Sequence, residues 1–306
     1  MRIAITGASG LIGSALTRDL TSDGIEVLRL VRRPPAGADE ARWDPAVPDA
    51  GLAPHVLDGI DVVVHLSGAP IASGRWTAAR KQELRASRIE TTAALARVLA
   101  ARQDPPRTLL AASAIGWYGD TGSREVDESA PNGTGFLAEL VRDWEAAAQP
   151  AVEAGIRVAH LRTGIVLSRE GGMLGQLLLP FRLGLGFRIG PGTQYISWIT
   201  LADHIRACRA VMADPQLSGP VNLTGPAPVT NGELTSALAS ALHRPALLRL
   251  PAGPLRAGLG EVSGELLASY RVRPARLLAA GFAFRYPQLG PALAAAIGDQ
   301  HGAPAG

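Results

Sequence analysis

Three glycines, Gly7, Gly10 and Gly13, follow the apolar run Arg2–Thr6 at GxxGxxG spacing and lead into residues 11–20, which have helical periodicity. A buried parallel strand ending in a tight glycine turn aims the free N–H groups of the next helix at one point, where backbone amides and the helix dipole hold a pyrophosphate. A second apolar strand, Glu26–Val31, arrives at βαβ distance, so the turn reads as the entrance of a dinucleotide site, with Ser9, Leu11 and Ile12 between the glycines. The end of the second strand selects the dinucleotide. An NAD site places Asp or Glu there for the ribose 2′-hydroxyl, whereas this chain offers Val31-Arg32-Arg33 and no carboxylate until Asp39. Guanidinium forks suit a 2′-phosphate, so the reading is NADP(H), with Arg32 on the phosphate and Arg33 a spare, solvated cation.

A phenol and a hydroxyl are the candidates for proton chemistry. Tyr118 lies in the loop after a later strand, where a substrate would meet the nicotinamide, and is the leading proton donor if a cation lowers its pKa; Ser113 would orient a carbonyl. Tyr195 and His204 are weaker candidates from the second half of the chain. Each has a structural reading as well: Tyr118 packing a loop, Ser113 as a turn hydroxyl, Tyr195 in a strand core, His204 on a helix face. The sequence contains no carboxylate pair, metal-ligand cluster or nucleophile elbow, and no metal is expected.

Alternating strands and helices must position these groups. Residues 60–66 form a buried strand ending in Leu66-Ser67-Gly68, against which a cofactor would lie. Residues 76–101 form a long helix, in which Glu83 and Arg88 are expected to pair and present one guanidinium to the nucleotide. A strand over 107–112, a helix over 136–154 and a strand over 156–161 follow. The pattern is that of an α/β fold with a Rossmann-type doubly wound parallel sheet. From Gly171 the chain becomes loop-rich and glycine-rich as far as Gly192. A strand over 195–199, a helix Leu201–Ala213, a strand over 221–223 and a helix over 231–243 come next. We divide the chain into an NADP-binding domain over 1–170, a smaller, partly interleaved substrate-facing portion over 171–300, and a frayed tail over 301–306. Elements from about 195–230 rejoin the sheet.

Composition narrows the class. With 306 residues, 47% of them hydrophobic, the chain can bury a large core. A net charge of +3 without a dense basic tract argues against nucleic acid, and no apolar run is long enough to span a bilayer, so no membrane partner is expected. One cysteine, Cys208, and no leader segment point to a reducing cytoplasm. Lys81 is the only lysine among thirty basic residues.

The glycine turn, Leu66-Ser67-Gly68, Trp117-Tyr118-Gly119-Asp120 and 162–166 together resemble the extended short-chain dehydrogenase/reductases. Arg42-Trp43-Asp44-Pro45, Ser87-Arg88, 179–186 and 281–287 are similar to an atypical branch of that group, the NAD(P)-dependent epimerase/dehydratase-like proteins with a C-terminal domain of unknown function. That resemblance implies cofactor contacts at the glycine turn, Val31, Arg32, Leu66, Ser67, Glu83, Arg88 and Val166. It also exposes a departure. Active members use a Tyr with a Lys four residues on, whereas the corresponding positions here are Leu137 and Val141, and Ala114 stands at the usual Ser/Thr position. Two readings follow: an NADP-dependent oxidoreductase or epimerase-like enzyme acting on a small molecule, or a noncatalytic NADP-binding protein that regulates a protein partner. Related folds often dimerise through a four-helix interface to which 76–101 and 136–154 could contribute, so the resemblance allows a homodimer and leaves the oligomeric state open.

Overall fold

The computed structural model describes residues 1–47, 51–71 and 74–298. The N-terminal half runs β1 (Arg2–Thr6), α1 (Leu11–Ser22), β2 (Glu26–Val31), β3 (Glu40–Arg42), β4 (Val62–His65), α2 (Ala78–Arg85), α3 (Thr91–Ala100), β5 (Thr108–Ala114), α4 (Phe136–Ala146), α5 (Gln149–Glu153) and β6 (Arg157–Thr163). The remainder runs β7 (Ile165–Leu167), α6 (Gly172–Arg182), β8 (Phe187–Ile189), β9 (Tyr195–Ile196), β10 (Trp198–Thr200), α7 (Leu201–Ala213), β11 (Gly219–Leu223), β12 (Val229–Thr230), α8 (Asn231–Ala241), β13 (Leu248–Leu250), α9 (Ala252–Leu259), α10 (Val262–Leu267), α11 (Ala275–Ala279) and α12 (Leu289–Ile297).

Seven parallel strands form the central sheet in the order β11-β6-β5-β4-β1-β2-β3, a Rossmann-type arrangement. The inner strands β1 and β4 are almost continuously apolar because both of their faces are covered. Ile3 and Ile5 of β1 pack with Leu16 and Leu20 of α1 and Ile205, Cys208 and Val211 of α7. Ala4, Val63, Leu109 and Ala111 point the other way, onto Leu95 and Leu99 of α3 and Ala151 of α5. The direction of winding changes between β1 and β4, so the crevice where a ligand binds this kind of sheet opens at their carboxyl ends.

Four elements depart from the sequence expectation, the simplest being the strand over 195–199, which divides into β9, paired with β12, and β10, paired with β7. The helix over 76–101 is interrupted by one π-helical turn, Ala86–Glu90, between α2 and α3. The helix over 136–154 breaks into α4 and α5, with Pro150 in the first turn of α5. The stretch expected to be loop contains α6, despite Gly172, Gly175 and Pro180. Its Leu174, Leu178 and Phe181 recur at helical spacing and bury against Leu234 and Leu238 of α8 and Leu293 of α12, and that packing outweighs poor propensity.

The C-terminal segment threads back into the sheet layer. β11 extends the sheet beyond β6, Val272 bridges to Val126, and the buried Asp203 carboxylate accepts the N–H groups of Arg285 and Tyr286 at 2.8 and 2.9 Å. The expected tail, 301–306, lies outside the described residues.

Candidate functional site

Backbone contact builds the centre of the site. Gly7 adopts φ +68°, and a Cβ there would sit 2.8 Å from the Leu66 carbonyl and 3.0 Å from the Ser67 nitrogen. A Cβ on Gly13 would sit 2.2 Å from the Gly7 oxygen. Only glycine lets the turn after β1 touch the turn after β4 and α1 start this close to both. No side chain caps the start of α1 at Gly10, which leaves the N–H groups of Leu11, Ile12 and Gly13 to an external acceptor. Thr6 Oγ1 lies 2.7 Å from His65 Nδ1 and accepts the Leu66 N–H at 3.1 Å, tying the ends of β1 and β4 together. Val166 joins this corner through Gly172, whose Cβ position lies 3.4 Å from the Val166 oxygen and 3.9 Å from Leu11.

The two arginines after β2 have different roles. Arg33 donates to both oxygens of Glu40 at 2.7 and 2.6 Å, so it is a structural clamp and not the solvated spare expected from sequence. The Glu40 carboxylate also accepts the Ala36 N–H at 2.7 Å and lies 3.2 Å from Arg29. The Arg33 hydrogen bonds, with help from that N–H, hold it down to about 2. Arg32 is exposed beside this clamp and has no hydrogen-bond or ion-pair partner among the described residues. It is therefore a cation available to a ligand.

The expected pair of Glu83 and Arg88 does not form. Glu83 is exposed and takes Arg80, three residues earlier, at 2.6 Å, as helical neighbours do. Arg88 instead runs beneath Gly68, where a Cβ would meet its guanidinium carbon at 3.3 Å. It donates to the Ala69 carbonyl at 2.9 Å and lies over the Trp144 ring at 5.2 Å. No carboxylate faces this buried cation among the described residues, its Nε has no acceptor, and burial, helped by Arg80, pushes it down to about 10. A buried guanidinium without a counter-ion among the described residues, set under the loop after β4, is costly in the absence of an anion.

At the ends of β5 and β6 the polar groups face one another inside the protein. Arg162 forms a two-pronged bond with Glu145 at 2.8 and 2.8 Å and stacks on Trp117 at 3.9 Å. Ser113 is buried and donates to Glu145 at 2.6 Å. Tyr118 is buried too: its hydroxyl accepts from Arg162 at 3.1 Å and donates to Asn222 at 2.8 Å. Asn222 in turn holds Glu128 through its N–H at 3.0 Å. Burial raises the phenol to about 12, outweighing the nearby Arg162 charge that would lower it. Leu137 and Val141 occupy the neighbouring face of α4, 3.3 and 3.6 Å from the Cβ position of Gly116. Tyr195 is half-buried under Arg271, and His204 is buried between Thr163 at 3.1 Å and Cys208 at 3.6 Å. Sequence reasoning missed Asn222 and Glu128 as members of this network. The available signal was a charged residue, Arg162, within a buried strand, which requires a partner somewhere.

Among the described residues, no group of three or more His, Cys, Asp or Glu is placed to hold a metal, and no helix is long and apolar enough to cross a membrane.

Comparison with known proteins agrees with this geometry. Residues 3–223 match the model of the NAD dependent epimerase/dehydratase family, and residues 250–296 match a domain of unknown function (DUF1731). The epimerase family protein Mb2239 of Mycobacterium bovis is 50% identical over 292 residues, covering 95% of this chain and 96% of that protein. The crystal structure of human epimerase family protein SDR39U1 (isoform2) with NADPH superposes with a TM-score of 0.88 at 34% identity, covering 96% of this chain and 98% of that one. A nucleoside-diphosphate sugar epimerase from Corynebacterium glutamicum superposes with a TM-score of 0.79 at 38% identity, covering 96% of this chain and 57% of that one.

Proposed function

Because the chain belongs to the NAD dependent epimerase/dehydratase family, we propose that the crevice at the ends of β1, β2 and β4 binds NADP(H) and that the protein is an oxidoreductase or epimerase-like enzyme for a small molecule. The observation that carries the cofactor choice is the division of labour after β2: Arg33 is committed to Glu40 while Arg32 is free. In this reading the glycine turn, with Ser9, Leu11 and Ile12, holds the pyrophosphate on backbone N–H groups, and Arg32 takes the 2′-phosphate beside Val31. Arg88, Leu66, Ser67 and Gly68 line the floor, with Glu83 and Val166 at the margins. The cofactor supplies hydride transfer when bound. Ser113 and Tyr118 hold the ends of β5 and β6 in shape through Glu145 and Arg162. The proposal places the protein in the cytoplasm, where Cys208 stays reduced, as a homodimer through the helices α2 to α4.

Titration calorimetry with NADPH, NADP⁺ and NADH tests this reading. The NADP forms should bind more tightly than NADH, and Arg32→Glu should weaken NADPH by at least about tenfold, the worth of one hydrogen bond to a charged group, while leaving NADH unchanged. Equal affinity for NADPH and NADH, or no effect of the substitution, would reject it. A specific observation favours the second reading, in which the protein binds NADP(H) without catalysis and regulates a protein partner. Leu137 and Val141 offer no proton, and the one phenol nearby has its proton committed to Asn222. A hydride-transfer screen with Tyr118→Phe as control separates the two, since binding without turnover across carbonyl and sugar-nucleotide substrates assigns the regulatory role.

A further inference from the structure

Two stretches of the C-terminal half carry no carboxylate: none occurs between Glu170 and Asp203, and none between Glu233 and Glu261. The fold brings parts of both to one tip. β8 and β13 pair in parallel, with Leu248 opposite Phe187 and Arg249 opposite Arg188. Arg244 Nε donates to the Arg182 carbonyl at 3.1 Å, and Leu248 N–H donates to the Gly186 carbonyl at 3.2 Å. The end of α6 and the loop after α8 are therefore one surface.

That surface presents apolar side chains to solvent. Leu247 is 86% and Leu183 66% exposed, and Leu179, Leu185 and Leu248 are exposed with them. Leu183, the residue that caps the end of α6, lies one turn after Leu179 and donates its N–H to the Leu179 carbonyl at 3.2 Å, so the two sit together at the end of the helix. Five exposed leucines on the two joined segments are a concentration of apolar surface of the kind that is often functional on a soluble protein. The backbone is strained to present it. His243, at φ 52°, is the only non-glycine residue in the left-handed region among the described residues. It ends α8 where glycine is usual, with Arg244 N–H on the Ala239 carbonyl at 3.0 Å, and turns the chain back so that Leu247 stands at the loop tip.

The charge around the leucines selects the occupant. Arg182, Arg244 and Arg249 are exposed around them, and Arg249 faces Arg188 across the strand pair with no acid between. Arg188 Nε is buried without an acceptor. A second copy of the chain would set this cationic rim against itself across a twofold axis, which like charges oppose. Protruding leucines on two adjacent turns, ringed by guanidinium groups, match the acyl boundary and phosphates of an anionic bilayer surface. The geometry points to this tip as a peripheral docking surface for anionic phospholipid. It lies outside the dinucleotide crevice and does not depend on what that crevice binds.

The test is cosedimentation of the full-length protein with vesicles of phosphatidylcholine alone and of phosphatidylcholine with one third phosphatidylglycerol, at low and high salt. The protein should pellet with the anionic vesicles only, and less as salt rises. Leu183→Glu/Leu247→Glu should lower the partition at least about tenfold, and Arg182→Glu/Arg249→Glu, which takes two cations off the surface, should also lower it at least about tenfold. Circular dichroism melts identify any variant that is merely misfolded, and Leu247→Ser, a milder change, repeats the comparison in that event. Four outcomes overturn the proposal: no pelleting with anionic vesicles at low salt, equal pelleting with phosphatidylcholine alone, pelleting that none of the substitutions changes, or a wild-type dimer that Leu247→Glu converts to a monomer in sedimentation velocity.

Discussion

Arg162 is a full charge buried between Ser113 of β5 and Asn222 of β11, and its two-pronged bond to Glu145 keeps both ions from being buried unpaired. Arg162→Met should therefore destabilise the protein by about 3 kcal/mol or more, read as a lower urea midpoint, and Arg162→Met/Glu145→Leu should recover much of the loss. Tyr118→Phe removes a hydroxyl with one donor and one acceptor partner and should cost about 1–3 kcal/mol. If Tyr118 is structural, NADPH affinity in calorimetry will be unchanged; a loss of turnover without a loss of stability would return it to the role of proton donor. Tyr118 and Ser113 were legible in the sequence as groups capable of chemistry. Their partners were not, because Asn222 lies 104 residues from Tyr118 and Glu145 lies 32 from Ser113. That Arg32 is an exposed cation at the end of β2 was legible because a strand end is set by local chain geometry, whereas the Arg33 clamp required knowing that β3 brings Glu40 alongside.

Two histidines join elements across the sheet, and their burial makes the joints sensitive to acid. His65 connects β4 to β1 through Thr6, and His204 connects α7 to β6 through Thr163. Burial pushes each down to about 4, so both are neutral in the folded protein at neutral pH. The unfolded chain takes up protons near pH 6.5 while the folded protein resists until about pH 4. Stability is then complete above pH 6.5, falls as pH drops towards 4, and loses on the order of 3 kcal/mol per histidine over that window. Urea titrations at pH 7.5 and 5 should show the decline, and His204→Gln should reduce it by about half, leaving the His65 contribution; a pH-independent midpoint would contradict the burial of both rings. At this scale strong periodicity made β1, β2, α1 and α7 readable. The π turn around Arg88 and the helix α6 were not, because packing fixed the one beneath Gly68 and the other against α8 and α12.

The C-terminal segment behaves as part of one folded unit. Ser197 Oγ donates to the Tyr270 carbonyl at 2.9 Å and accepts the Val272 N–H at 2.8 Å, Asp203 caps the backbone at Arg285 and Tyr286, and Leu293 completes the cluster around α6 and α8. Truncation after Leu250 should remove these together and abolish cooperative folding, and the full chain should unfold in a single calorimetric transition. A truncated chain that retains a sharp transition and NADPH binding would instead make the N-terminal domain autonomous. By itself the sequence determined the doubly wound sheet, the glycine turn, the cationic end of β2 and the lack of a Tyr-Lys pair, since each follows from local periodicity or from residues adjacent in the chain. Only the tertiary structure decided that Arg33 is clamped, that Arg88 lies under Gly68 with no counter-ion among the described residues, that Tyr118 is sealed in a network and that five leucines are exposed on two joined segments with arginines among them. Those outcomes depend on which distant residues meet, and burial then sets the charge, proton affinity and availability of each.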